Sequence, residues 1–271
     1  MDFSLQKRME RKRILFLGDI VGKPGRKCIK KHLPEIKEKF FIDLVIANAE
    51  NASGGLGLTS KNARELHNAG IDILTSGNHI WKYKEINLFL EETDWLLRPL
   101  NYPSGAPGKG VHIYENFWDR PLAVLNLQGR VFMEAVDCPF RKAQEAIEKL
   151  PADIPIIVDF HAEATSEKKA MGYFLQGRVT ALIGTHTHIQ TNDAQLMAGT
   201  TGYITDVGMC GPKESVLGME PGVVLQKFQT ARPVRFELAK GSVELNGVII
   251  DFDLQTGHCL DIQAWKFDQT N

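Results

Sequence analysis

Two histidines separated by one residue, His186 and His188, follow the short apolar run Val179-Thr180-Ala181-Leu182-Ile183. The run reads as a buried strand. If the backbone stays extended beyond Gly184, both imidazoles point to the same side and face one cavity. A metal centre needs more than two protein ligands, and other apolar runs end in suitable groups. Asp19 follows residues 14–18, Glu50 and Asn51 follow 44–49, Asn78 and His79 follow 71–77, and His161 follows 156–160. In open α/β sheets, sites form outside the carboxyl ends of the strands.

The set comprises His161, His186 and His188, the carboxylates Asp19 and Glu50, and the amides Asn51 and Asn78. Without thiolates, a soft-metal or structural zinc site is disfavoured; mixed nitrogen and oxygen donors suit Fe, Mn, Zn, Co or Ni. The set is too large for one such ion and fits two. Glu50 is the natural bridge, because its neighbour Asn51 can serve one of the pair. Two ions about 3.5–4 Å apart clamp a phosphate and share a hydroxide nucleophile. His79 is left over beside Asn78. At the site edge it can protonate a leaving oxygen, since a free imidazole with pKa about 6.5 suits general-acid work.

The elements that must position these groups alternate between strand and helix. Residues 24–40 place Ile29, Leu33, Ile36 and Phe40 at helical spacing. Residues 60–69, with Ser60 as the expected cap, 84–92, 142–150 and 166–175 also read as helices. Strands are expected at 111–114, 122–127, 154–160, 234–238, 243–253 and 259–267, with a Thr256-Gly257 turn. The alternation implies a mainly parallel sheet in the first half. No repeat or linker divides the chain, so residues 1–271 are expected to form one domain of two sheets with outer helices, residues 1–12 being a charged lead-in.

Composition bounds the partners. The chain has 271 residues, 43% hydrophobic and 24% charged, with a net charge of -1, so no broad basic surface for nucleic acid is expected. No apolar run approaches a membrane span, and the N-terminus lacks the apolar core of a secretory signal. Cys28, Cys138, Cys210 and Cys259 are scattered and form no CxxC pair, which fits reduced thiols in the cytoplasm.

Five motifs resemble one family, the calcineurin-like metallophosphoesterases, and within it the bacterial YmdB-like group. They are Gly18-Asp19-Ile20-Val21-Gly22, Ala47-Asn48-Ala49-Glu50-Asn51-Ala52, Gly77-Asn78-His79, Asp159-Phe160-His161-Ala162-Glu163 and Gly184-Thr185-His186-Thr187-His188. The wider superfamily opens Asp-x-His, where Val21 stands here, and bridges with an Asp followed by Arg, where Glu50-Asn51 stands here. Both departures are the YmdB-like pattern. The resemblance implies an α/β fold, a four-layer αββα sandwich of two mixed sheets flanked by helices. It implies a binuclear centre, one ion on Asp19, Glu50, Asn51 and His188 and the other on Glu50, Asn78, His161 and His186. Fe or Mn come first as the metals, then Zn or Mg. It also implies phosphodiesterase activity, notably on 2′,3′-cyclic nucleotides, a link to RNA ends, cytoplasmic localisation and a homo-oligomer.

Other residues admit plainer readings. His32, His67, His112 and His258 have no motif around them and are expected to pack or be solvated. Asp159 and Glu163 stand where a ligand's outer partner would. Residues 53–59 can cradle phosphate, but they lack the established glycine spacings, so flexibility beside the site is the plainer reading. Residues 208–212 either line the pocket or make a turn. Trp81 is expected in the core or at the rim, near enough to His79 to stack a base. A nucleotide-binding regulator that keeps the metals but turns over little is the alternative function; retaining both ligands and His79 favours an enzyme. A dinucleotide-binding fold fails because Asp19 stands where pyrophosphate would sit.

Overall fold

The computed structural model describes residues 11–269. Its first sheet has seven strands. β1 (Arg11–Leu17), β3 (Leu44–Asn48) and β4 (Ile73–Thr75) run parallel, and β1 pairs antiparallel with the long β12 (Val243–Asp253). β13 (Cys259–Gln269) covers the other edge of β12. At Gly18 the first strand changes partner. Leu17 still faces Gly247, but β2 (Asp19–Ile20) pairs with β11 (Met209–Pro212), which pairs with the beginning of β12. A Cβ at position 18 would lie 2.0 Å from the Gly208 carbonyl oxygen. That crossing therefore needs glycine.

The second sheet has six strands. β6 (Leu122–Gln128), β7 (Ile156–His161), β8 (Ala181–Thr185) and β10 (Thr201–Ile204) are parallel. β5 (Val111–Tyr114) and β9 (Gln195–Met197) close the edges antiparallel. Both sheets are mixed.

Alternating side chains build three apolar layers, and these make four layers of structure. On β1, Ile14 and Phe16 face the second sheet, while Leu15 and Leu17 face outer helices. On β6, Leu122 and Val124 face inward, while Ala123, Leu125 and Leu127 face outward. That is the pleat period of two. One outer layer holds α1 (Gly22–Phe40), α2 (Ser60–Asn68) and α3 (Ile86–Glu92); the other holds α4 (Pro139–Ile147) and α5 (Thr165–Leu175). This is the expected αββα sandwich. No helix among the described residues is long and apolar enough to cross a membrane.

Several expectations need correction. Residues 1–10 of the expected lead-in lie outside the described residues, and its last two, Arg11 and Lys12, belong to β1, where Arg11 and Arg13 ion-pair with Asp251 on β12. Thr59, not Ser60, caps α2, its hydroxyl accepting from Asn62 N at 3.3 Å. Residues 234–238 form no strand; only Leu238 bridges, to Met219. A helix not read from sequence, α6 (Pro221–Thr230), precedes them. Glu220 caps it and Pro221 opens it, a start signal that the Val223-Val224-Leu225 run obscured. Residues 208–212 are not a simple turn, since Met209 to Pro212 are β11, which fixes Asp19.

Candidate metal centre

Each expected ligand arrives at a carboxyl-terminal strand end. Asp19 sits on β2, Glu50 and Asn51 just after β3, Asn78 and His79 on a 3-10 helix after β4, His161 at the end of β7, and His186 and His188 just after β8. The two sheets turn these ends toward one another. Glu50 lies at the middle. Its Oε2 is 3.1 Å from His161 Nε2, and its Oε1 accepts from Asn51 Nδ2 at 2.9 Å and faces His79 Nδ1 at 3.1 Å. His186 Nδ1 lies 3.0 Å from His161 Nε2, and His188 Nε2 lies 3.0 Å from Asn51 Nδ2. Asp19 Oδ1 is 3.7 Å from His161 and 3.9 Å from His188. Asn78 sits beside Gly77, where a Cβ would lie 2.3 Å from both Glu50 Oε2 and His161 Nε2. Six of the seven residues and His79 converge, and Asn78 follows Gly77 beside them with its Oδ1 buried.

The histidines are held by their outer nitrogens. Thr185 Oγ1 donates to Asp159 Oδ1 at 2.7 Å, so it accepts from His161 Nδ1 at 2.9 Å. His186 Nε2 lies 3.0 Å from Glu163 Oε2, and His188 Nδ1 lies 3.1 Å from the Leu217 carbonyl. Each acceptor fixes a proton on the outer nitrogen and leaves the other nitrogen facing inward, that of His161 toward Glu50, that of His188 toward Asp19 and that of His186 toward His161. His79 is turned the other way. Its Nδ1 faces inward, to Glu50 and to Asn51 Oδ1 at 3.0 Å, and Nε2 is left toward the outside.

The backbone carrying His186 and His188 is not extended. Their φ angles are 99° and 66°, left-handed for non-glycine residues. The expected same-side projection is produced by a strained turn. Thr187, between them, donates from its N–H (3.0 Å) and its hydroxyl (2.8 Å) to Asp206, which also accepts from the fully buried Lys168 at 2.7 Å. Lys168, Asp206 and Thr75 had no motif to mark them, and Asn48 and Thr185 lie inside two of the motifs without a role assigned to them. Asn48 accepts from Glu50 N at 3.1 Å and donates to Asp159 at 2.9 Å. Its sequence signals were an amide inside an apolar strand and its place in the Ala47–Ala52 motif. The loop 53–59 is pinned rather than loose: Ser53 N donates to Gly57 O at 2.9 Å, and Tyr83 hydroxyl donates to Ser53 O at 3.3 Å.

The electrostatics favour a cation. Asp19 and Glu50 are buried, and among the described residues their ion-pair partners are histidines only. Burial pushes Asp19 above the usual carboxylate range. Burial opposes ionisation of Glu50 too, but His161 and His79 hold it well below that range. Asp159 is pushed up to about 6 by burial, against the pull of His161 and the three donors around it. His161 is raised to about 9, because Glu50, Asp19 and Asp159 outweigh its burial, and His186 is lowered to about 3 by burial and then by His161. The Asp19 Oδ1 and Asn78 Oδ1 atoms are buried without a hydrogen-bond donor. Orphaned oxygens beside uncompensated carboxylates and inward-facing imidazole nitrogens fit metal ions. Glu50, His161 and His186 bring ligand atoms within 4.8 Å of one another.

Comparison with known proteins gives the family. The model of the YmdB-like protein family matches residues 15–265. The chain is 47% identical over 252 residues to a Bacillus subtilis protein named 2′,3′-cyclic-nucleotide 2′-phosphodiesterase, covering 93% of this chain and 95% of that one. A Mycoplasma pneumoniae crystal structure described as a novel phosphatase superposes with TM-score 0.91 at 37% identity, covering 96% and 94% of the two chains. A crystal structure of a hypothetical protein from Thermus thermophilus superposes with TM-score 0.89 at 40% identity, covering 95% and 100%. The chain belongs to the YmdB-like family of the metallophosphoesterases.

Proposed function

We propose that this protein is a metal-dependent phosphodiesterase acting on 2′,3′-cyclic nucleotides in the cytoplasm, with a binuclear centre and His79 as general acid. The observation that carries the reading is the convergence on Glu50. Its Oε2 faces His161 and its Oε1 faces Asn51 and His79. This division supports Glu50 as a bridge, with Asp19, Asn51 and His188 on one side and Asn78, His161 and His186 on the other. Iron or manganese suits the mixed donors. Bound ions supply positive charge to phosphoryl oxygens and acidify water.

The chain's own residues do the rest. Thr185, Glu163 and the Leu217 carbonyl keep three imidazoles in the ligand tautomer. Asn51 presents its nitrogen to Glu50 and His188, and an amide nitrogen has no lone pair to offer, so ligation uses Oδ1 with the amide turned over. His79 is anchored on Glu50 through Nδ1, and its side chain is 34% exposed, which supports delivery of a proton from Nε2 to the departing ribose oxygen. The cyclic-nucleotide assignment rests on the name of the Bacillus subtilis relative.

The test is hydrolysis of 2′,3′-cyclic AMP and bis-p-nitrophenyl phosphate by purified protein under several metals, with elemental analysis. Metal-dependent turnover of both is expected. Metal and nucleotide binding without turnover would assign the chain to regulation instead.

A further inference from the structure

Gln128 is fully buried at the end of β6, and neither atom of its side-chain amide has a hydrogen-bond partner. A buried amide left unpaired on both sides is costly and rare. It lies in register with His161 on the neighbouring strand. By the pleat it shares a face with Asn126, whose amide bonds to Ser76 N and O, both at 3.0 Å, just before Gly77 and Asn78. Gln128 therefore points between the sheets at their carboxyl ends, flanking the cluster.

Tyr102 closes this flank. Asn101 clasps the Gln128 backbone, accepting from Gln128 N at 2.9 Å and donating to Gln128 O at 2.8 Å, which sets the next residue beside the Gln128 side chain. The Tyr102 ring meets Trp81 edge-on, with centroids 5.3 Å apart. Trp81 stands two residues after His79. Burial raises the Tyr102 phenol above its ordinary value; the Trp81 and Gln128 side chains oppose this, while the carboxylates Glu134 and Glu50 add to it. Charges of both signs surround Tyr102, since it also lines a cavity with Arg98, Lys142 and Lys149. The Trp81–Tyr102 pair and the Gln128 amide suit a sugar and base: aromatic faces to pack against, and a hydroxyl and an amide that both donate and accept.

We propose that Tyr102, Gln128 and Trp81 form the subsite for the nucleoside part of the substrate, beside a metal cluster that takes the phosphoryl group. The proposal rests on the phosphodiesterase reading for its substrate class. Tyr102 offers its hydroxyl to the nucleoside, and the amide of Gln128, which has no partner of its own, stands available behind it as a positioning residue.

The test uses the metal-loaded protein and two probes, adenosine 3′-monophosphate and inorganic phosphate, titrated by calorimetry against wild type, Tyr102→Phe and Gln128→Leu. Thermal melts and elemental analysis establish that each variant is folded and loaded. Loss of one hydrogen bond corresponds to about 5- to 10-fold in affinity. Both variants are expected to weaken the nucleotide by that factor relative to phosphate. Equal weakening of both probes, or none, overturns the subsite. Turnover is measured separately, so wild type that binds the nucleotide but hydrolyses nothing counts against the phosphodiesterase reading and leaves the titration decisive for the subsite.

Discussion

Lys168 and Asp206 form a fully buried ion pair, Nζ to Oδ2 2.7 Å, directly beneath the turn that carries His186 and His188. Asp206 spends its remaining capacity on Thr187 and on Gly208 N, 2.8 Å away. The pair thus ties a helix of the outer layer to the strained turn that carries two candidate ligands. Removing one partner leaves a buried charge uncompensated, typically a loss of about 3–5 kcal/mol. Lys168→Met should lower the unfolding free energy by that order in urea titration and reduce metal content along with it. An unchanged midpoint would show that the pair holds nothing.

Gly77 is required by space. A Cβ there would lie 2.2 Å from His161 Cδ2 and 2.3 Å from Glu50 Oε2. Gly77→Ala must push Glu50 or the His161 imidazole aside, at an overpacking cost of about 1–3 kcal/mol. The variant should remain folded by circular dichroism while its metal content, measured by elemental analysis, drops. Full loading at normal stability would contradict the geometry.

The ion pairs of Arg11 and Arg13 with Asp251 predict an acid dependence. Burial alone would raise the Asp251 pKa, but hydrogen bonds from Arg13 and Arg11 overcome it and hold the carboxyl below its ordinary range. A depressed folded pKa stabilises the fold fully above the unfolded value, about 4, and that stability is lost as pH falls through the folded value. The stability gap between wild type and Asp251→Asn should therefore be flat above about pH 5 and shrink below about pH 4. A gap independent of pH down to about 3 would exclude this ion pair as its source.

The cysteines should react in order of access. Cys28, Cys210 and Cys259 are buried, and burial pushes Cys28 up to about 11 and Cys259 up to about 12, whereas Cys138 is partly exposed. A thiol reagent should count one fast group in native protein and all four after denaturation without reductant. Fewer than four would reveal disulfides.

Much of this site was legible because its ligands end apolar runs, and a strand end is where an α/β sheet exposes chemistry. Asp19, Glu50, Asn78 and His161 could be read that way. The turn at His186 could not, because its left-handed φ is imposed by Asp206, distant in sequence and itself held by Lys168. Asn48 and Thr185 were hidden for a similar reason: a polar residue inside an apolar strand is meaningful only once its neighbour, Asp159, is known. The sandwich was legible in outline, whereas α6 was not, since few of its side chains are buried and its apolar run resembles a strand.

His79 can be separated from the ligands by its leaving-group dependence. His79→Ala should keep its metals and lose about 10²- to 10⁴-fold in turnover of 2′,3′-cyclic AMP. The loss on bis-p-nitrophenyl phosphate should be smaller, because p-nitrophenolate departs without a proton. Equal losses on both would make His79 a positioning group rather than the acid.

Glu50 bears the greatest share of the proposed chemistry, and the most direct measurement is elemental analysis of wild type and Glu50→Ala, purified in parallel, with turnover of 2′,3′-cyclic AMP recorded on the same samples. Wild type should carry two ions per chain and be active; Glu50→Ala should lose both ions and all metal-dependent turnover, because both halves of the cluster lean on its two oxygens. Full occupancy in Glu50→Ala, or wild-type turnover that survives complete removal of metal, would contradict a phosphodiesterase built on a Glu50-bridged centre.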